Sequence, residues 1–107
     1  MQLNKIVTRL IAAQNSHDSQ AYAACFTAAA IVHDEGKIYS GQAAIERWIA
    51  DSNQQYQAVM KPLNYEETAT EHLLTAEVSG NFPGSPAILH FHLGLEGDLI
   101  RSLEITG

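Results

Sequence analysis

The stretch Ala30-Ile31-Val32-His33-Asp34-Glu35-Gly36, followed by Ser40-Gly41-Gln42-Ala43-Ala44-Ile45-Glu46-Arg47-Trp48, decides how the rest of the chain reads. An apolar strand over residues 29–33 ends in an acid at Asp34, and Gly36 turns the chain into a short strand over 37–39. An amphipathic helix then buries Ile45, Trp48 and Ile49, with Ser40 as its expected N-cap. An acid at the end of an apolar strand is a place where a raised carboxylate pKa can be put to use.

Upstream, Leu3, Ile6, Val7, Leu10 and Ile11 recur at helical spacing and predict a first helix with one buried stripe. Asn15-Ser16-His17-Asp18 breaks it, and Asp18 is the expected cap of a second helix carrying Tyr22, Cys25 and Phe26. Downstream, the third helix should fade over the polar run 51–55, where the period changes from helical to alternating. Four strands are predicted over 57–68, 72–81, 87–95 and 99–105, joined by turns at Asn81-Phe82-Pro83-Gly84-Ser85-Pro86 and Glu96-Gly97-Asp98. Helices followed by an antiparallel meander give an α+β fold, three N-terminal helices packed on a strongly curved, mostly antiparallel sheet. At 107 residues, the whole of 1–107 reads as one domain.

Composition narrows the partners. The hydrophobic share of 46% suits a globular core, and the net charge of −6 with scattered Lys and Arg argues against nucleic acid or an anionic membrane. No apolar run reaches membrane length, and the lone Cys25 fits a reducing, cytoplasmic setting. There is no His-x-x-x-His pair, no Cys pair and no Gly-rich phosphate loop, so neither a metal nor a cofactor is expected. On the strand 87–95, Leu89, Phe91 and Leu93 alternate with His90 and His92, which places both histidines outward and away from metal chemistry. Asp34 has two readings, a general base in an apolar setting or a strand-end acid that caps its own turn. The last strand also has two, since Leu99, Arg101, Leu103 and Ile105 share one face and Ile100, Ser102 and Glu104 the other, and either can be the inward one.

Ala12-Ala13-Gln14-Asn15-Ser16-His17-Asp18, Phe26, the strand to Asp34, Gly41 with Ile45 and Trp48, Ile88-Leu89-His90-Phe91-His92-Leu93 and the final strand together resemble the nuclear-transport-factor-2-like (NTF2-like) superfamily. Within it, the chain is similar to SnoaL-like polyketide-cyclase and ketosteroid-isomerase-like domains. The resemblance implies a cone-shaped fold with a pocket between helices and sheet, and a homodimer through the outer sheet face. The pocket would take a small apolar molecule against Val32, Trp48, Leu89, Phe91 and Leu93, with Tyr22 and Glu104 as further candidates. Asp34 falls on the family's proton-transferring carboxylate, whereas the oxyanion-hole positions look to be Leu10 and Leu89, and Ile49 replaces a supporting Tyr. Steroid isomerisation is therefore disfavoured, because the donors that stabilise an enolate are missing. The expected function is ligand binding, with isomerase- or cyclase-like proton transfer by Asp34; the alternative is a non-catalytic binding or dimerisation module with a vestigial pocket.

Overall fold

The computed structural model describes residues 1–107. Two helices, α1 (Lys5–Asn15) and α2 (Ser19–Ala24), lead into a hairpin of β1 (Phe26–Asp34) and β2 (Lys37–Ser40). Helix α3 (Gln42–Tyr56) follows, and then the meander β3 (Val59–Glu67), β4 (His72–Ser79), β5 (Ala87–Glu96) and β6 (Leu99–Thr106). The third helix is thus inserted after the first hairpin, and only two helices are N-terminal to the sheet. The six strands form one sheet in the order β2-β1-β6-β5-β4-β3, antiparallel throughout except where β1 runs parallel to β6. No helix is long and apolar enough to cross a membrane.

The stripes predicted for the first and third helices are buried except at Leu3, which precedes α1, and Trp48, which is partly buried. Phe26 of the second predicted stripe falls in β1. Ile6, Val7, Leu10 and Ile11 of α1 and Ile45 and Ile49 of α3 pack on inward residues Leu74, Ala76, Val78, Phe91 and Leu93 of the sheet. Asp18 caps α2 as expected, accepting a hydrogen bond from the Ala21 amide at 3.0 Å. Ser40 does not cap α3. The chain leaves β2 through Gly41 at φ 88°, a conformation open to glycine, so the residue before the helix carries no side chain to cap it. Gln42 instead ties the start of α3 to β1, its Nε2 donating to the Phe26 carbonyl at 2.7 Å.

Three further boundaries move. Helix α3 continues through the polar run to Tyr56, because Asn53 stays on its buried side one turn beyond Ile49. Strand β1 begins at Phe26, earlier than residue 29, and Cys25 is the buried residue that ends α2. On β6 the inward face changes parity. Ile100 and Leu103 are both fully buried although three residues apart, and the β5–β6 register jumps between Gly94↔Ser102 and Leu95↔Ile100. The extra residue is Arg101, so β6 carries a bulge there. Both readings of this strand assumed unbroken alternation. The bulge turns Arg101 and Glu104 alike to the exposed side. Gly94 faces the bulge, and a Cβ at that position would collide with Ser102 Oγ.

Side-chain amides fasten the helices to the edge strand β3. Asn15 reads Met60 in both directions, accepting from its N–H at 2.7 Å and donating to its carbonyl at 3.0 Å. These are backbone groups on the open edge of the sheet, which Asn15 covers as a neighbouring strand would. Replacing Asn15 by Ala should cost about 1–2 kcal/mol, since two part-buried backbone groups lose their hydrogen-bond partner. Urea unfolding measures this, and the Met60 amide should lose hydrogen-exchange protection in the variant. An unchanged midpoint with a protected Met60 amide would contradict the assignment.

Candidate functional site

Between the helices and the inner face of the sheet lies a cavity of about 460 Å³. Helices supply Gln14, Tyr22, Trp48, Ile49 and Tyr56, and the sheet supplies Met60, Val78, Leu89, Phe91 and Ile105. The loop after β4 adds Phe82 and Pro83, with Phe82 edge-on to Tyr56 at 6.1 Å between ring centres. That loop is held close because Gly80 lets its backbone pass Tyr56, where a Cβ would sit 2.6 Å from the Tyr56 carbonyl. No Lys, Arg or His lines the cavity, and its only carboxylates are Asp34 and Glu35.

Asp34 reaches this space because β1 runs parallel to β6. Its partner in the ladder is Ile105, whose side chain also lines the cavity. Alternation along β1 then sets Ala30, Val32 and Asp34 on the inward face. Burial pushes the Asp34 carboxyl up from its ordinary 3.8, and the neighbouring Glu35 charge pushes the same way. The nearby indole N–H of Trp48 and backbone N–H of Glu35 act against that rise without reversing it. Trp48 is itself fixed by a ring on either side: Tyr39 stacks on it at 5.4 Å, and Tyr22 meets it edge-on at 6.0 Å. Tyr22 is 2% exposed, and burial above all raises its hydroxyl pKa, with Cys25 and Asp34 adding to the effect. It is therefore a neutral hydrogen-bond donor beside the carboxylate.

The structure brings Asp34, Trp48, Tyr22, Leu89 and Phe91 together around one space. It does not bring in three other expected residues. Val32 and Leu93 share the inward face but lie deeper, packed into the core at 0% and 2% exposure. Glu104 is on the opposite side of the sheet, in a polar hollow with His33, His92 and Arg101, because the β6 bulge reverses the alternation that pointed it inward. Leu10 is sealed in the core, and Leu89 and Ile49 present only hydrocarbon to the cavity. His90 and His92 point outward as expected, to Thr75 at 3.2 Å and to Glu71 at 2.9 Å.

Gln14 and Tyr56 were not apparent as site residues. A signal for Gln14 existed, since it continues the buried stripe of Val7, Leu10 and Ile11 with a polar side chain. A second hollow of about 370 Å³ lies between α1 and α2, lined mainly by Ala12, Ala13, Ala21 and Ala24 with Cys25 and Arg9. It is shallower, and burial raises the Cys25 thiol pKa despite Arg9, which makes it a poor nucleophile. The functional case therefore rests on the cavity at Asp34.

No family model matches the sequence, and no curated protein does. Solved structures do. A candidate polyketide cyclase from Sinorhizobium meliloti is 34% identical, with a TM-score of 0.92 over 97% of this chain and 95% of that one. A protein with a ketosteroid isomerase-like fold from Catenulispora acidiphila, solved in complex with trimethylamine, is 19% identical, with a TM-score of 0.89 over 99% and 87% of the two chains. An NTF2-like protein of unknown function from Cytophaga hutchinsonii is 15% identical, with a TM-score of 0.81 over 99% and 91%. The six-stranded, mostly antiparallel sheet with its helical layer and an identity of 34% over nearly the full length agree: the chain belongs with the polyketide-cyclase-like proteins, and its fold is the NTF2-like, ketosteroid-isomerase-like one.

Proposed function

We propose that the cavity binds a compact, largely apolar small molecule and that Asp34 is the base of a proton transfer next to a carbonyl group. The observation that carries this is the position of Asp34, a half-buried carboxylate with a raised pKa in an apolar space of about 460 Å³. Sites of this volume hold small organic ligands, whereas a vestigial pocket would be filled by its own side chains. In the reaction, an ionised Asp34 oxygen takes a proton from carbon, and the C–H electron pair moves to form an enolate. Return of the proton to a second carbon completes an isomerisation. Attack of the enolate carbon on a second carbonyl completes a cyclisation, the new alkoxide recovering the proton from Asp34. A raised pKa brings the base closer to the working pH and strengthens it. The absence of cationic side chains in the lining disfavours anionic ligands.

A homodimer through the outer sheet face is the companion proposal, supported by Ile31, Ile38 and Ile88, which are exposed at 38%, 65% and 54%. His33 pairs with Ile38, and Ile88 shares its parity with His90 and His92, so these side chains share the solvent side of the sheet. A binding or assembly module with no chemistry is the alternative that this apolar face favours. Domain 1–107 acting as one unit, in the cytoplasm and without a metal or cofactor, completes the reading.

Asp34→Asn separates enzyme from module: turnover should fall by at least about 100-fold while ligand affinity is kept, as expected for loss of a general base. Turnover that survives the change would remove Asp34 from the chemistry. Stability should move as well. A carboxyl whose folded pKa lies above its unfolded value favours the fold when protonated, and this contribution is lost as pH rises through the folded pKa. Asp34→Asn should therefore melt at a higher temperature than the wild type at pH 7, with the gap closing as pH falls toward 3.8. A gap that widens on acidification would contradict the raised pKa. For the dimer, sedimentation velocity at micromolar concentration should give twice the chain mass, and Ile88→Glu should shift it to the monomer. A wild-type monomer would retire that interface.

A further inference from the structure

Where the lining meets the edge strand β3, four strands across the sheet from β1 and Asp34, it contains a polar group of fixed orientation. Gln14 Nε2 lies 2.8 Å from the Ala58 carbonyl and 3.0 Å from Asn53 Oδ1. A backbone carbonyl can only accept, so the Gln14 atom facing it must be the amide nitrogen. Both hydrogens of that nitrogen are then committed, one to each oxygen. The remaining polar atom, Oε1, accepts from no protein donor, yet it is not among the atoms sealed without a partner. Gln14 is only 8% exposed and lines the cavity, so Oε1 opens into it.

Asn53 shows that this arrangement is not there for stability. With its Oδ1 held by Gln14, its Nδ2 is left buried with no partner. A buried donor without a partner destabilises the fold, and two apolar side chains in place of the amides would avoid that. The pair instead presents to the cavity an acceptor of fixed orientation. Trp48, which contacts Asp34, and Asn53, which orients Gln14, are five residues apart on α3, about 7.5 Å along the helix axis.

We propose that Gln14 Oε1 is the specificity-determining acceptor of the cavity, selecting a ligand whose hydroxyl group lies at the opposite end from the carbon presented to Asp34. This rests on the reading that the cavity takes a small molecule, and it names the class: a neutral, hydroxylated, otherwise apolar carbonyl compound. A ligand with only acceptors at that end would face Oε1 lone pair to lone pair and leave the oxygen desolvated. Tyr22, Ser52 and Tyr56 also line the cavity, but a hydroxyl can donate as well as accept, so none of them imposes this selection.

The test uses two probes with one ring system, 2-naphthol and 2-methoxynaphthalene, titrated calorimetrically into wild type, Gln14→Met and Tyr22→Phe. The preference for the naphthol, as a ratio of dissociation constants, should drop about tenfold in Gln14→Met, the worth of one buried hydrogen bond, and persist in Tyr22→Phe. An equal preference in wild type and Gln14→Met, or its loss in Tyr22→Phe, overturns the assignment while leaving the cavity as a ligand site. Binding of neither probe to the wild type at millimolar concentration would overturn the cavity reading and this inference with it. If Gln14→Met fails to fold, a crystal structure of the wild type with 2-naphthol decides. Its oxygen should lie within hydrogen-bond distance of Gln14 Oε1, and an oxygen placed against Asp34 or Tyr22 overturns the proposal.

Discussion

The docking of α1 onto the free edge of β3 by two adjacent amides is the contact on which the site depends. Asn15 takes both backbone groups of Met60, and Gln14 takes the Ala58 carbonyl, so the end of the helix is held on the sheet's last strand. His17 adds a third contact, its Nε2 2.9 Å from the same Ala58 carbonyl, which requires that nitrogen to carry the proton. An apolar contact could slide along the edge; hydrogen bonds to named backbone atoms cannot. The helical layer is therefore fixed in register against the sheet, and the cavity that remains between them has defined walls.

Within those walls, the electrostatics follow from what is missing. A carboxylate in an apolar space without a cationic partner is disfavoured in its charged form, and Trp48 offsets only part of that penalty. The parallel pairing of β1 with β6 puts Asp34 there, because it sets the end of the first strand beside Ile105 near the end of the last. Function and fold are joined at this point. The arrangement holds a carboxylate at some cost to stability, as sites prepared for proton transfer commonly do.

The stripes of α1 and α3, the strand count and the inward face of β1 and β5 were legible in the sequence, since each follows from one unbroken period. Alternation correctly set Asp34, Leu89 and Phe91 inward and His90 and His92 outward. It could not give depth. Val32 and Leu93 share the same faces as the cavity residues, and only the placement of the helices decides that they are core. Nor could it foresee the β6 bulge at Arg101, where one extra residue reverses every later side chain and moves Glu104 to the far side of the sheet. The cap of α3 failed for a local reason, as Gly41 adopts a backbone conformation closed to Ser40's role. Gln14 and Asn53 were legible in principle, being polar residues in line with Val7, Leu10, Ile45 and Ile49 on otherwise apolar stripes.

The central claim is that Asp34 is a carboxylate made more basic by its cavity. An NMR titration of the Asp34 side-chain carbon in the wild-type protein measures this directly. The account predicts a midpoint clearly above 3.8. A midpoint at or below that value would mean that hydrogen bonds to the carboxylate outweigh its burial, and that Asp34 is a turn-capping acid rather than a base.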